Sequence, residues 1–233
     1  GTIVNGLCII IGSVIGLFLT KIRDKYKETI MQGIGLTIIL IGLQMAFQVN
    51  SIIIVLLSML TGALVGEFFR LEDLLNRLGY WVGSKFTNKG ENVNVSQAFV
   101  TASLIFVVGS MAILAALDSG LRGDHEILLT KSVLDGFTSF ILTTTLGIGV
   151  ILSVIPVVLF QGSIALLATQ IEKLIPKVIF NDLLVDITAV GGLLIVAIGL
   201  NLLKLTQIRV TNLLPAIVMV TIFVYFNHML FIN

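Results

Sequence analysis

Residues 183–203 read Leu-Leu-Val-Asp-Ile-Thr-Ala-Val-Gly-Gly-Leu-Leu-Ile-Val-Ala-Ile-Gly-Leu-Asn-Leu-Leu, and Asp186 is the single charge among them. As a helix at 1.5 Å per residue the stretch reaches about 31 Å, the thickness of a bilayer's hydrocarbon core. A surface helix keeps one polar face, whereas this one is apolar all round. Working outward, the same reading applies to Thr2–Thr20, Ile30–Phe47, Ser51–Phe69, Ala98–Leu117, Ser132–Ile155, Val157–Ile175 and Leu213–Phe231. Backbone polar groups in lipid must be satisfied within each segment, and the two-residue period of a barrel strand is missing, so these are eight helices. The first apolar stretch carries no cleavage-site pattern and is read as a span.

Composition agrees. The chain is 57% hydrophobic and 12% charged, with mean hydropathy +1.10, where a soluble domain carries about 25% charged residues. A net charge of +1 provides no basic field for nucleic acid. Cys8 is the one cysteine and lies in an apolar run, which excludes a disulfide scaffold and a thiolate metal centre. No nucleophile–base pair or phosphate loop points to an enzyme, and His125 and His228 have no metal-ligand spacing. The expected class is an all-α polytopic membrane protein, a single membrane domain over 1–233.

Orientation follows from basic residues in the short connections. Lys21, Arg23, Lys25, Lys27, Arg70, Arg77, Lys85, Lys89, Lys204 and Arg209 fall on one side; Arg122, Lys131, Lys173 and Lys177 fall on the other. The richer side is cytoplasmic, so both termini face outside the bacterial inner membrane. Between Phe69 and Phe86, Leu71, Leu74, Leu75, Leu78 and Val82 recur at helical spacing, and Tyr80 and Trp81 follow. This predicts a helix lying on the inner surface.

Internal similarity organises the spans. Gly33-Ile-Gly-Leu-Thr-Ile-Ile-Leu-Ile-Gly-Leu-Gln44 echoes Val190-Gly-Gly-Leu-Leu-Ile-Val-Ala-Ile-Gly-Leu-Asn201. Upstream, Gly12-Ser13 with Thr20-Lys21-Ile22 echoes Gly162-Ser163 with Thr169-Gln170-Ile171. An offset of five spans inverts the second copy, as in many secondary transporters. The expected divisions are a repeat over 1–69, an interfacial helix and loop over 70–97, a central pair of spans over 98–155, and the second repeat over 156–233.

Ionisable residues inside spans point to function. Asp118-Ser-Gly-Leu-Arg-Gly-Asp-His-Glu126 reads as a glycine turn into an acidic helix start, with Asp124 as N-cap and Glu126 in the first turn. A helix from Asp124 to Ile155 would span about 48 Å, so a break is expected, at Asp135-Gly136 or Gly147-Ile-Gly149. Lys131, Asp135 and Ser139 follow i, i+4, i+8, and Thr138, Thr143 and Thr145 fall within about 80° of Asp135. Such a face suits Na⁺, or a proton carried on Asp135, with Lys131 as charge partner and Thr138, Ser139 and Thr143 as neutral ligands. A solvated pair at the outer interface is the bland alternative. Asn5, Gln44 and Asn201 are intraspan amides that serve as ligands or as interhelical glue. Asp182 and Asp186 read as a solvated acidic rim, and Glu67 closes the third span. Gly62, Ala63 and Gly66 permit close packing, by which a homodimer could also form.

Several of these residues carry a family resemblance: Gly1–Asn5, Gly62–Glu67, Gly123, Asp124, Leu128, Lys131, Ser132, Leu134 and Asp135, then Ala189–Leu194 and Asn212–Ala216, where Leu213 replaces Met. The chain resembles, over nearly its whole length, a bacterial membrane family known as domain of unknown function 554. That resemblance implies the membrane setting and brings sodium channel or pump activity as a suggestion made for the family; it implies no substrate. The expected function is secondary transport of a small ion or solute coupled to Na⁺ or H⁺, with no cofactor beyond that ion. A passive channel and a non-transporting scaffold are the alternatives.

Overall fold

A computed structural model describes residues 1–18, 24–74, 77, 92–107, 110–174 and 177–231. All elements among the described residues are helical: α1 (Thr2–Phe18), α2 (Asp24–Ala46), α3 (Ile52–Phe69), α4 (Asn92–Val107), α5 (Ser110–Leu121), α6 (Glu126–Leu146), a 3-10 segment (Ile148–Ser153), α7 (Val154–Leu166), α8 (Ala168–Leu174), α9 (Lys177–Leu202), α10 (Val210–Leu213) and α11 (Ala216–Phe231). Five stretches are long and apolar enough to cross a membrane: Ile52–Phe69, Glu126–Leu146, Ile148–Leu166, Ile179–Leu202 and Val210–Met229. A sixth follows if Gln97–Val107 and Met111–Leu121, bent by 59°, count as one span. The apolar helices Thr2–Phe18 and Gln32–Ala46 are shorter than that standard.

The middle of the chain is framed differently from the sequence expectation. The spans read as Ser132–Ile155 and Val157–Ile175 are Glu126–Leu146 and Ile148–Leu166, because the break falls at Gly147 and not beside Pro156. Gly147 has φ 79° and ψ −159°, a backbone conformation that a side chain would oppose. Pro156 sits in the first turn of α7, where its missing N–H costs no helical bond. Asp135-Gly136, the other expected break, lies within continuous α6. His125 is the N-cap of α6 rather than Asp124, whose Oδ1 still accepts from the Glu126 N–H at 3.0 Å. Of the inner-surface helix, residues 71–74 and 77 are helical after the left-handed Arg70 (φ 49°); the remainder, with Tyr80 and Trp81, lies outside the described residues.

The chain forms two compact units, Gly1–Met31 with Leu75–Val107 and Met111–Ile171, and Gln32–Leu74 with Val108–Ser110 and Glu172–Asn233. In the first, α1 runs parallel to α6, from Gly1 beside Leu128 to Gly16 beside Phe140 and Thr143. Glycines make this approach close: a Cβ on Gly136 would stand 3.1 Å from the Cys8 carbonyl, and one on Gly16 would stand 2.6 Å from that of Phe140. Across α1, Gly6 faces Val154 and Val158 of α7, while Gly149 of the 3-10 segment meets Val95 and Ala98 of α4. Ile9, Ala98, Phe106, Leu128, Leu142, Val150 and Val157 are buried here.

In the second unit, α2 and α9 are antiparallel and meet glycine to glycine. A Cβ on Gly42 would stand 2.7 Å from the Gly192 carbonyl, and one on Gly199 would stand 2.9 Å from that of Gly35. Helix α3 packs on α10 and α11, with Gly62 against Ala216 and Gly66 against the Asn212 carbonyl. Ile54, Val55, Val190, Val220 and Val224 fill the core between these helices.

In both units many large apolar side chains face outward, among them Ile3, Phe18, Ile52, Leu64 and Phe68, whereas Asn5, Lys131, Asp135, Gln161 and Asp186 are buried. In water such a surface would aggregate; in hydrocarbon it is the stable arrangement. The glycine contacts make a contrast that thermal unfolding in detergent reads directly. Gly33 has nothing within 4 Å of its Cβ position, so Gly33→Ala should stabilise by up to about 1 kcal/mol through helix propensity. Gly42→Ala should destabilise by about 1–3 kcal/mol by driving a methyl into backbone. Equal effects would contradict the α2–α9 contact.

Candidate functional site

Asp135 is the tenth of the 21 residues of α6, so it lies well inside the helix and not at its mouth. One turn earlier, Lys131 Nζ donates to Asp135 Oδ1 at 2.9 Å and Oδ2 at 2.7 Å. Both residues are only 6% exposed. Lysine preceding an acid at i, i+4 is the weaker order for supporting a helix, since it opposes the macrodipole. The pair therefore contributes little to α6 as a helix, and burying two charges is costly unless their remaining hydrogen-bonding capacity is met.

Helix α1 meets part of that capacity. Asn5 Nδ2 donates to Asp135 Oδ2 at 3.0 Å and to Gln161 Oε1 of α7, also at 3.0 Å. A carboxylate only accepts, so the amide nitrogen of Asn5 must face it. Gln161 then turns its oxygen to Asn5, which leaves Asn5 Oδ1 and Gln161 Nε2 buried without a hydrogen-bond partner. Both side chains are fully buried. One carboxylate, one ammonium and two amides from three helices thus converge within the first unit. The carboxylate and the amide oxygens can hold a proton or a small monovalent cation if the Lys131 ammonium, which balances the carboxylate here, gives way.

Not every expected ligand reaches this point. Ser139, one turn beyond Asp135, donates from Oγ to the Ile9 carbonyl at 3.0 Å and the Gly136 carbonyl at 2.8 Å. Thr143 is two turns beyond, about 12 Å along the axis, too far to share an ion with Asp135. Thr138 is half-buried on the same helix. Gln44 is exposed on α2 and belongs to the second unit. Asn201, also there, spends its amide on the loop after α9: Nδ2 donates to the Ile208 carbonyl at 2.7 Å, and Oδ1 accepts from Thr206 Oγ1 and the Ile208 N–H.

Gln161, absent from the residues singled out above, is an amide in an apolar run and carries the same sequence signal as Asn5. The acidic rim also proves structural. Asp186 is 1% exposed, and its Oδ1 accepts from the Asn50 and Ser51 N–H groups of the α2–α3 turn at 3.0 and 3.2 Å. Asp182 pairs with His228 Nε2 at 2.8 Å and accepts from Asn50 Nδ2. At the other end of α3, Glu67 pairs with Arg209 at 2.9 Å.

The buried pair has a testable energetic signature. Lys131→Met alone strands a buried carboxylate and should cost about 3–5 kcal/mol, whereas Lys131→Met with Asp135→Leu should recover most of that loss. Unfolding of both variants in lipid nanodiscs measures the difference; a double variant as unstable as the single would show that the pair is not desolvated.

Comparison with known proteins is consistent over the whole chain. The family model described as protein of unknown function, DUF554, matches residues 1–225. The Bacillus subtilis (strain 168) protein titled "Uncharacterized membrane protein YdfK" is 34% identical over 233 residues, covering 98% of this chain and 96% of the relative. The Escherichia coli (strain K12) protein titled "Uncharacterized protein YqgA" is 29% identical over 223 residues, covering 94% and 93%. No solved structure matches the chain. With its helices, its apolar outer surface and the family match in agreement, the chain is a membrane protein belonging to the DUF554 family.

Proposed function

We propose that this protein is a secondary transporter of the bacterial inner membrane, with a small cation, Na⁺ or H⁺, bound at Asp135. The observation that carries the reading is the Lys131–Asp135 pair, buried midway along a membrane-length helix beside two amides with unpartnered polar atoms. Ionisable groups at such depth are expensive and mark ion pathways. Asn5 and Gln161 supply the neutral ligands, and Lys131 balances the carboxylate when no cation is bound. Gln44 and Asn201 drop out of the ligand set.

The eight-span, inverted-repeat architecture forms part of this proposal, with α1 and α2 as its shorter spans and both termini outside. Gly35 and Gly42 of α2 stand 157 residues before Gly192 and Gly199 of α9, and the contacts cross: Gly35 meets Gly199 and Gly42 meets Gly192. Exchanged contacts between matched residues are what a pseudo-two-fold axis produces. In the first unit, Asn5-Gly6 and Gln161-Gly162 match at nearly the same separation, 156, and Asn5 bonds Gln161. This register replaces the match of Gly12-Ser13 with Gly162-Ser163. Inverted repeats of this kind place their sites at the repeat interface.

The test is current on a solid-supported membrane from proteoliposomes given Na⁺ and pH jumps. A saturable current in the wild type, lost in Asp135→Asn, is expected. A current that survives the substitution would remove Asp135 from the pathway, and one that never saturates would assign a channel.

A further inference from the structure

Helices α1 and α6 are joined by contacts that share one register. Asn5 bonds Asp135, and the Ile9 carbonyl bonds Ser139; each pair is 130 residues apart. One further turn along both parallel helices, the same separation brings Ser13 opposite Thr143. Gly16 lies against Thr143 Cβ just as Gly12 lies against Ser139, which supports the alignment. Both side chains are fully buried, and neither Ser13 Oγ nor Thr143 Oγ1 has a hydrogen-bond partner.

That is unusual among the hydroxyls of these helices. A helical Ser or Thr can always turn back to the carbonyl three or four residues earlier. Ser132, Thr144 and Thr145 of α6 do so, as does Ser153 of the 3-10 segment. For Ser13 the i−4 acceptor is the Ile9 carbonyl, which already accepts from Ser139. Thr143 makes no such bond, and its Cβ and methyl group lie against Gly16 of α1. Ser103 on α4 also lacks a partner, but stands outside this register.

We propose that Ser13 and Thr143 hold a water molecule between α1 and α6, the third rung of a polar ladder that begins at Asp135. Each hydroxyl both donates and accepts, so one water satisfies both where a direct bond is not made. Its use as a route, along which Asp135 exchanges with the Gly147 end of α6, rests on the cation reading above; the site itself does not.

Thermal unfolding in nanodiscs tests the site by the sign of the change. Removing a hydroxyl that holds water costs stability, whereas removing an unpartnered one at constant shape is neutral or favourable. Thr143→Val and Ser13→Ala should each lower Tm by about 2–4 °C, the double variant should fall by less than their sum, and Thr143→Ser should stay near the wild type. A rise in Tm for Thr143→Val, or strictly additive losses, would overturn the site. The route has its own readout. In a Cys8→Ala background, Thr143→Cys should react with a small hydrophilic thiol reagent about tenfold faster than Leu142→Cys, because reaction needs a thiolate in contact with water. Equal rates would overturn the route. Neither measurement uses transport current, so a failure of the Asp135 assay is distinguishable from a failure of this site.

Discussion

A lysine ammonium and an aspartate carboxylate, one helical turn apart and nearly sealed from solvent, set the terms for the first unit. Their burial is tolerable only if a polar group from another helix reaches the carboxylate. Asn5 is that group, and its short side chain reaches only if α1 lies almost backbone to backbone on α6. Gly12, Gly16 and Gly136 are the residues that allow this. The glycines of α1 and α6 thus hold the parallel register in which Asn5 meets the charge pair.

The two units use most of their buried polar groups differently, although Glu72 Oε2 of the second also lacks a partner. In the second, Asp186 holds the α2–α3 turn, Asn212 Oδ1 accepts from the Glu72 N–H at 2.7 Å, and Asn201 closes the loop after α9. These are bonds that tie turns and helix ends, where lipid-embedded helices leave backbone groups to satisfy. In the first unit, Asn5, Gln161, Ser13 and Thr143 sit within helices, where the backbone is already satisfied, and each keeps an unpartnered atom. A buried polar atom without a partner carries a structural cost, which a water or ligand that completes it would offset.

Much of this was legible in the sequence, and the limits have a physical origin. Apolar length marked the helices, and the i, i+4 spacing of Lys131 and Asp135 marked their pairing, because both are properties of one helix. The break was narrowed to two glycine positions; only the positive φ adopted at Gly147 separates them. Thr143 shares the face of Asp135 on a helical wheel yet lies two turns from it, because angular position carries no information about axial distance. Gln161, the Asp186 clamp and the role of Asn201 depend on which helix lies opposite, a matter decided by long-range glycine contacts that no single-helix pattern encodes.

Register between neighbours is therefore the quantity that turns a list of polar residues into a site. Along α1 and α6 it is set at three glycines, and a change there would shift every rung together: Asn5 from Asp135, Ile9 from Ser139, and Ser13 from Thr143. A shift of one residue on either helix rotates the polar edge by about 100°, which would aim Asn5 away from the carboxylate and leave the buried pair short of a donor. The interface has few intermediate solutions, because close-packed helices are bistable rather than continuously deformable. A one-residue slide is therefore disfavoured, whereas a separation of α1 from α6 as bodies or a shift by a whole turn keeps the faces matched. The nearest backbone break to this contact is Gly147 (φ 79°), where α6 ends and the 3-10 segment that packs against α4 begins.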